Sequence, residues 1–392
     1  MSVYLDHQAT SPMPQAVKDA YLDALGVAGN PSALHGGGRA ARALLEQARE
    51  RVAAVVGAHP TEVIFTSGGT EAINTALKGS VWEHQRQQGA RSQPVIAATR
   101  AEHHATIDAI TWLVDQEGAQ WREVAVDHEA VMELDSLQEA LDSGGVTIVT
   151  TLLANNEVGS YQPVTDIAER SRSAGASVHV DAVAAAGYGP LAFSEMGVDA
   201  LSVSAHKLGG PVGTGALILS RQAPTLQALH HGGNQQRSRS GTMDVAGAVA
   251  MAAALEVRAE ARQSGQERLV GLRDRLKDGL RAGSPQIVVR GSLSNRLPGN
   301  LHVTVPGCTG EVLLFLCDQE GIQVSTGSAC QAGVPEPSHV LSAMGVPPQD
   351  AWGALRLTLG YTTSAEDVEH VIRVFPTVVE RATQAGLAGI KS

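Results

Sequence analysis

Between residues 62 and 219 the chain repeats one pattern, a short apolar run followed by an amphipathic stretch, and this repetition restricts the fold more than any other feature. Glu62 to Thr66 runs through glycines into an Ala- and Leu-rich helical stretch. Val95 to Ala98 precedes a helical pattern over Thr106 to Gln116, Val124 to Val126 precedes Leu134 to Leu141, and Val146 to Leu153 precedes Val164 to Ala174. Two further β-like runs end at Asp181 and Lys207. Such alternation predicts an α/β fold with a mostly parallel sheet sandwiched by helices. At 392 residues and 43% hydrophobic, the chain has material for two cores. After an Ala-, Glu- and Arg-rich helical passage from Val245 to about Ala282, strands at Ile287 to Arg290, Asn300 to Val305, Ile322 to Val324 and Leu355 to Leu359 mix with helices over Gly310 to Gln319, Ser338 to Met344 and from about Ser364. The expected division is a large domain over 14–254 and a smaller α+β domain made of 1–13 and 255–392.

In open parallel sheets the chemistry sits at strand ends, and several of these ends carry distinctive residues. Lys207 closes the run Leu201-Ser202-Val203-Ser204-Ala205-His206-Lys207 and is followed at once by Gly209-Gly210-Pro211. Its nearest ionisable neighbour is a histidine, so desolvation would make it a usable amine; taken alone it reads equally well as a strand cap. Asp181 ends Ser177-Val178-His179-Val180-Asp181 and leads into small residues. Phe65-Thr66-Ser67-Gly68-Gly69-Thr70-Glu71 passes from strand to helix through glycines, an arrangement that offers bare N–H groups to an anion. It lacks P-loop spacing, which makes a nucleoside triphosphate a poor fit. A lysine, an acid partner and an anion cradle together are what pyridoxal 5'-phosphate (PLP) chemistry needs.

Twenty-nine basic and 40 acidic residues leave a net charge of −11, which argues against a nucleic-acid or anionic-membrane binder. Cys308, Cys317 and Cys330 are odd in number and unlike in surroundings, which suits a reducing compartment rather than a disulfide framework or zinc site. The sequence shows no leader pattern and no apolar run long enough to span a bilayer, so a cytoplasmic location is expected. Cys317 lies in an apolar helix, whereas Cys330 sits in a Ser-, Gly-, Ala- and Pro-rich loop, where a thiol can reach a substrate held elsewhere. His103 and His104 are adjacent and would point apart, so a metal site built on both is not expected. The glycine-rich loop around Asn30, the Asn155-Asn156-Glu157 turn and the polar loop from His230 to Thr242 are further candidate binding loops.

In combination, Tyr4-Leu5-Asp6-His7 with Ala9-Thr10, Gly29-Asn30-Pro31, Thr66-Ser67-Gly68-Gly69-Thr70-Glu71, Glu102-His103, Asn155-Asn156-Glu157-Val158-Gly159, His179-Val180-Asp181-Ala182, Ser204-Ala205-His206-Lys207, Arg239-Ser240-Gly241-Thr242, Ser328-Ala329-Cys330 and Arg356-Leu357-Thr358-Leu359-Gly360 give the chain a nearly end-to-end resemblance. It resembles the cysteine desulfurases of the NifS/IscS type, class V aminotransferases of the fold-type I PLP enzymes. The resemblance implies a seven-stranded sheet and a PLP-linked Lys207, with Asp181 at the pyridine nitrogen and His103 stacked on the ring. It implies that Gly69, Thr70, Ser204, His206 and, from the partner subunit of a homodimer, Thr242 hold the phosphate, and that Asn156 contacts the phenolic side. Arg356 and Asn30 would receive the carboxylate of L-cysteine. Cys330 would take the sulfur as a persulfide, leaving L-alanine, and pass it to an acceptor protein for iron–sulfur cluster assembly or tRNA thiolation. His103 is expected to shuttle protons, because histidine titrates nearest neutrality.

Two positions depart from the family pattern. Ala184 stands where the family has a glutamine that donates to the cofactor's phenolic oxygen, which predicts a perturbed Schiff-base pKa or weaker cofactor retention. Gln235-Gln236-Arg237-Ser238-Arg239 is one residue shorter than the corresponding family loop, which bears on the Thr242 contact. A selenocysteine lyase or another class V PLP enzyme would not need Cys330. A non-catalytic relative that keeps the fold for protein interaction would not need Lys207 or Asp181.

Overall fold

The computed structural model describes residues 2–89, 91–236, 238–327 and 336–389. Seven strands form the central sheet, in the order Val63–Thr66, Gly215–Leu219, Ala200–Ser204, Ser177–Asp181, Val146–Leu152, Val95–Thr99 and Gln120–Val124. Gly215–Leu219 pairs antiparallel with both neighbours, and every other pairing is parallel. Most of these strands are apolar and buried on both faces, as a helix-covered parallel sheet requires. The edge strand Gln120–Val124 has only Val124 buried. Its alternation is weak, and the sequence pattern accordingly places a strand at 124–126 instead, several residues late.

On one face Gly36–Val56 and Val245–Glu260 pack against the sheet, with Leu45, Val52, Val56, Met251 and Leu255 buried against Val180, Val203 and Ile218. Gly69–Gln88 and His104–Glu117 cover part of the other face through Ile73, Leu77, Ile110 and Leu113. A separate apolar cluster is built from Leu276, Leu301, Val303, Leu313, Leu357, Val371 and Phe375, and Val3 and Leu5 join it. The N-terminal strand Val3–Tyr4 reaches this cluster by pairing in parallel with Ile322–Gln323. Nearby, Val288–Arg290, Asn300–Thr304 and Ala354–Thr358 form an antiparallel sheet. The helix Ala365–Gly389 begins with the expected capping box, Ser364 N–H to Asp367 at 2.8 Å and Asp367 N–H to Ser364 at 3.1 Å.

Since all the strands except one run the same way, their carboxyl ends open on a single edge. That edge gathers the Ser67-Gly68-Gly69 turn, the 100–103 loop, the 153–159 loop, Asp181 and the turn after Ser204.

Candidate active site

The anion cradle forms where Val63–Thr66 gives way to the helix Gly69–Gln88. Gly68 has φ +152°, and a Cβ at Gly69 would lie 2.6 Å from Val183 Cγ2, so the backbone can approach this wall only as glycine. The first-turn amides point outward without a capping side chain. Glu71, the acid in that turn, is engaged elsewhere. It accepts from Ser67 N–H at 2.7 Å and from Arg239 Nε at 3.0 Å. Burial raises its pKa, but these bonds hold it below the ordinary value, so its charge belongs to the Arg239 hairpin.

Asp181 is 3% exposed and accepts from Val183 N–H at 2.9 Å. Burial pushes its pKa up to about 6, against the pull of Val183 N–H and Lys207, so at pH 7 it is mostly ionised. The fully buried Glu102 is pushed up to about 8 by burial and by the charge of Asp181, so it carries the proton of this pair of acids. Lys207 lies beyond the end of its strand, in the 3-10 turn Ala205–Leu208, not in the strand as its sequence pattern suggests. Its Nζ donates to the Gln8 carbonyl at 2.5 Å. Burial and the nearby Arg356 lower its pKa to about 8, while Asp6 and Asp181 oppose them. On the order of a tenth of the amine is therefore neutral at pH 7.

His103 caps His104–Glu117, its Nδ1 accepting from Ala105 N–H at 3.0 Å. That bond leaves the ring proton on Nε2. Burial, then Lys207, His104, His339 and Arg356, lower its pKa to about 4. The expectation that His103 titrates near neutrality is corrected here, because its surroundings keep it neutral. His206 is likewise lowered to about 4, by burial and Lys207.

Arg356 crosses from the antiparallel sheet to this edge. Its Nη1 donates to the Asn156 carbonyl at 2.8 Å and its Nη2 to Asp6 at 3.0 Å. Its buried Nε and the buried Asn156 Oδ1 have no hydrogen-bond partner among the described residues.

A cleft of about 230 Å³ takes in Gly69, Thr70, His103, Asn156, Asp181, Ser204, His206 and Lys207, with Ala184 in its wall. Asn30 and Thr242 are exposed and lie outside this wall; the Asn30 side chain accepts from Ser32 N–H at 2.9 Å. Cys330 lies outside the described residues. The arrangement can hold an anion at the helix terminus, a cationic ring atom against Asp181 and a reactive carbonyl at Lys207.

Residues 3–371 match the family model for class V aminotransferases. The chain belongs to the class V aminotransferase family. The chain is 44% identical over 389 residues to an IscS-like cysteine desulfurase of Mycobacterium tuberculosis, covering 98% of each chain. It is 37% identical to a cysteine desulfurase IscS of Dictyoglomus turgidum, covering 97% of this chain and 95% of the relative. Among solved structures, a NifS-like protein superposes with a TM-score of 0.89 at 34% identity, covering 97% of this chain and all of the other.

Three further residues bear on the site without being given a role by the sequence pattern: Asp6 pairs with Arg356, the Gln8 carbonyl accepts from Lys207, and Glu102 interacts with Asp181. Gln8 acts through its backbone carbonyl, which leaves no residue-type signal. Glu102 could have been suspected, since an acid next to His103 at a strand end is either exposed or paired.

Proposed function

We propose that this protein is a PLP-dependent cysteine desulfurase that converts L-cysteine to L-alanine and passes the sulfur on through Cys330. The observation that carries the reading is the meeting of the lowered Lys207 amine, the buried Asp181 carboxylate and the bare helix terminus at Gly69 in one cleft. The names borne by the relatives at 44% and 37% identity support it.

The residues present fit PLP. The amides of Gly69 and Thr70 with Ser204 and His206 would hold its phosphate, Asp181 its protonated ring nitrogen, and Lys207 its carbonyl carbon. The orphaned Asn156 Oδ1 marks a polar atom that a bound group would satisfy. When bound, PLP supplies an electron-accepting ring that weakens the bonds at the substrate's Cα. Arg356 would receive the substrate carboxylate, its guanidinium fixed by Asp6 and the Asn156 carbonyl. Lys207, once free, takes the Cα proton, a task suited to an amine already partly neutral. His103 acts from its neutral form as an Nε2–H donor facing the cleft. The Cys330 thiolate attacks the substrate sulfur, so that an S–S bond forms, the Cβ–S bond breaks and its electron pair returns to carbon. Protonation there gives alanine, and the persulfide passes to an acceptor protein of iron–sulfur cluster assembly or tRNA thiolation.

The exposed Thr242 suits a contact across a homodimer, where it would complete the partner's phosphate site. The division into 14–254 and a unit of 1–13 with 255–392 belongs to the same reading, and the separate cluster around Phe375 supports it. No helix among the described residues is long and apolar enough to cross a membrane. The reading places the protein in the cytoplasm. Alanine release from L-cysteine by PLP-loaded protein with a thiol reductant tests it, beside Lys207→Ala. Alanine from the wild type and none from the variant supports the proposal; none from either refutes it.

A further inference from the structure

Glu157 sits in the turn that presents Asn156 to the cleft, yet it is 1% exposed, does not line the cleft, and meets Ser338 instead. A carboxylate that deep needs partners, and the side chains it meets lie just past the segment that carries Cys330. Ser338, just past its far end, donates Oγ–H to Glu157 Oε2 at 2.5 Å, and His339 Nδ1 lies 4.0 Å from Oε1. On the near side, Gly327 passes so close that a Cβ there would lie 3.2 Å from Oε2 and 3.5 Å from His302 Nε2. Gly327 also has φ +88°, a backbone conformation that favours glycine.

Three further hydrogen bonds tie these ends to the site. Ser325 exchanges backbone hydrogen bonds with Arg356, N–H to O at 3.2 Å and the reverse at 2.6 Å. His339 Nε2 lies 2.8 Å from the Glu102 carbonyl, which can only accept, so that nitrogen carries a proton. The backbone of Glu157 is fixed in turn, its N–H donating to Asn155 Oδ1 at 2.9 Å and its carbonyl accepting from Asn300 at 2.9 Å.

We propose that Glu157 is a positioning residue for sulfur transfer. Its carboxylate fastens Ser338 to the turn that holds Asn156 and Arg356, with Gly327 packed against it, and so fixes the two points between which Cys330 lies in sequence. The inference rests on the reading of Cys330 as the sulfur acceptor.

The test uses PLP-loaded wild type, Glu157→Ala, Glu157→Gln, Ser338→Ala, the double variant Glu157→Ala with Ser338→Ala, and Cys330→Ala. Glu157→Ala is expected to lower alanine formation about tenfold or more, while the visible cofactor band and the half-saturation of its response to L-cysteine stay within about twofold. Glu157→Gln recovers most of the rate, because its amide oxygen still accepts from Ser338, and the double variant is no slower than Glu157→Ala. Iodoacetamide labels Cys330 in Glu157→Ala within about threefold of the wild-type rate, which separates placement from thiol reactivity. The proposal is overturned if Glu157→Ala keeps the wild-type rate, or loses it in step with the cysteine-induced spectral response or with Cys330 labelling. If Cys330→Ala forms alanine like the wild type, the desulfurase reading itself fails. If Cys330→Ala is inactive and Glu157→Ala is normal, only the positioning role fails.

Discussion

Replacing Lys207 by methionine should invert the stability difference from wild type as pH rises. In the cofactor-free protein, Lys207 has its pKa lowered from 10.5 to about 8, chiefly by burial and then by Arg356. Below pH 8 the amine is charged in both folded and unfolded chains, and the folded protein bears the full cost of a buried cation. That gap is about 3 kcal/mol. Between pH 8 and 10.5 the folded amine releases its proton while the unfolded chain keeps it, so the cost disappears and stability rises with pH. Methionine has similar length and no charge, but it forfeits the hydrogen bond to the Gln8 carbonyl, worth about 1 kcal/mol. Lys207→Met should thus be more stable than wild type by about 2 kcal/mol at pH 7 and less stable by about 1 kcal/mol once the amine is neutral. Urea unfolding of the two cofactor-free proteins from pH 6 to pH 11 reads the difference directly. A difference that does not change with pH would show that Lys207 is not held in a desolvated site.

Gly69→Ala should fold but lose cofactor, since its methyl would meet Val183 at 2.6 Å beside the phosphate cradle; dialysis followed by absorbance in the visible band checks this. Glu102, raised to about 8 by burial and by Asp181, should make the wild type lose stability relative to Glu102→Gln as pH climbs from about 4.5 to 8, because the unfolded acid ionises first. Urea midpoints across that range test it, and parallel curves contradict it. Ala184→Gln should shift the pH titration of the cofactor's visible absorbance by adding a donor to the cleft wall, and an unchanged titration would sink that idea.

Strong periodicity made most of the sheet legible. Val95–Thr99, Val146–Leu152 and Ser177–Asp181 are largely buried on both faces, and valine or isoleucine marks each of them. The strand Gln120–Val124 is at the edge, where solvent tolerates Gln120 and Glu123, so its signal weakens. Eight of the residues expected at the site line one cleft, because their chemistry sits beside glycines and at strand ends. The environment of His103 was not legible. Its lowered pKa comes first from burial and then from charges that include Lys207 and Arg356, more than a hundred residues away in sequence. Nor was Glu157, which reads as a polar turn residue; its burial reflects residues distant in sequence, among them Ser338 and Asn300.

The central claim is that sulfur leaves L-cysteine through Cys330. Alanine release measured with PLP-loaded wild type and Cys330→Ala, alongside mass spectrometry of the Cys330 peptide before reductant is added, tests it most directly. The account predicts alanine and one added sulfur on that peptide in the wild type and neither in the variant. Alanine formed at the wild-type rate by Cys330→Ala would contradict it.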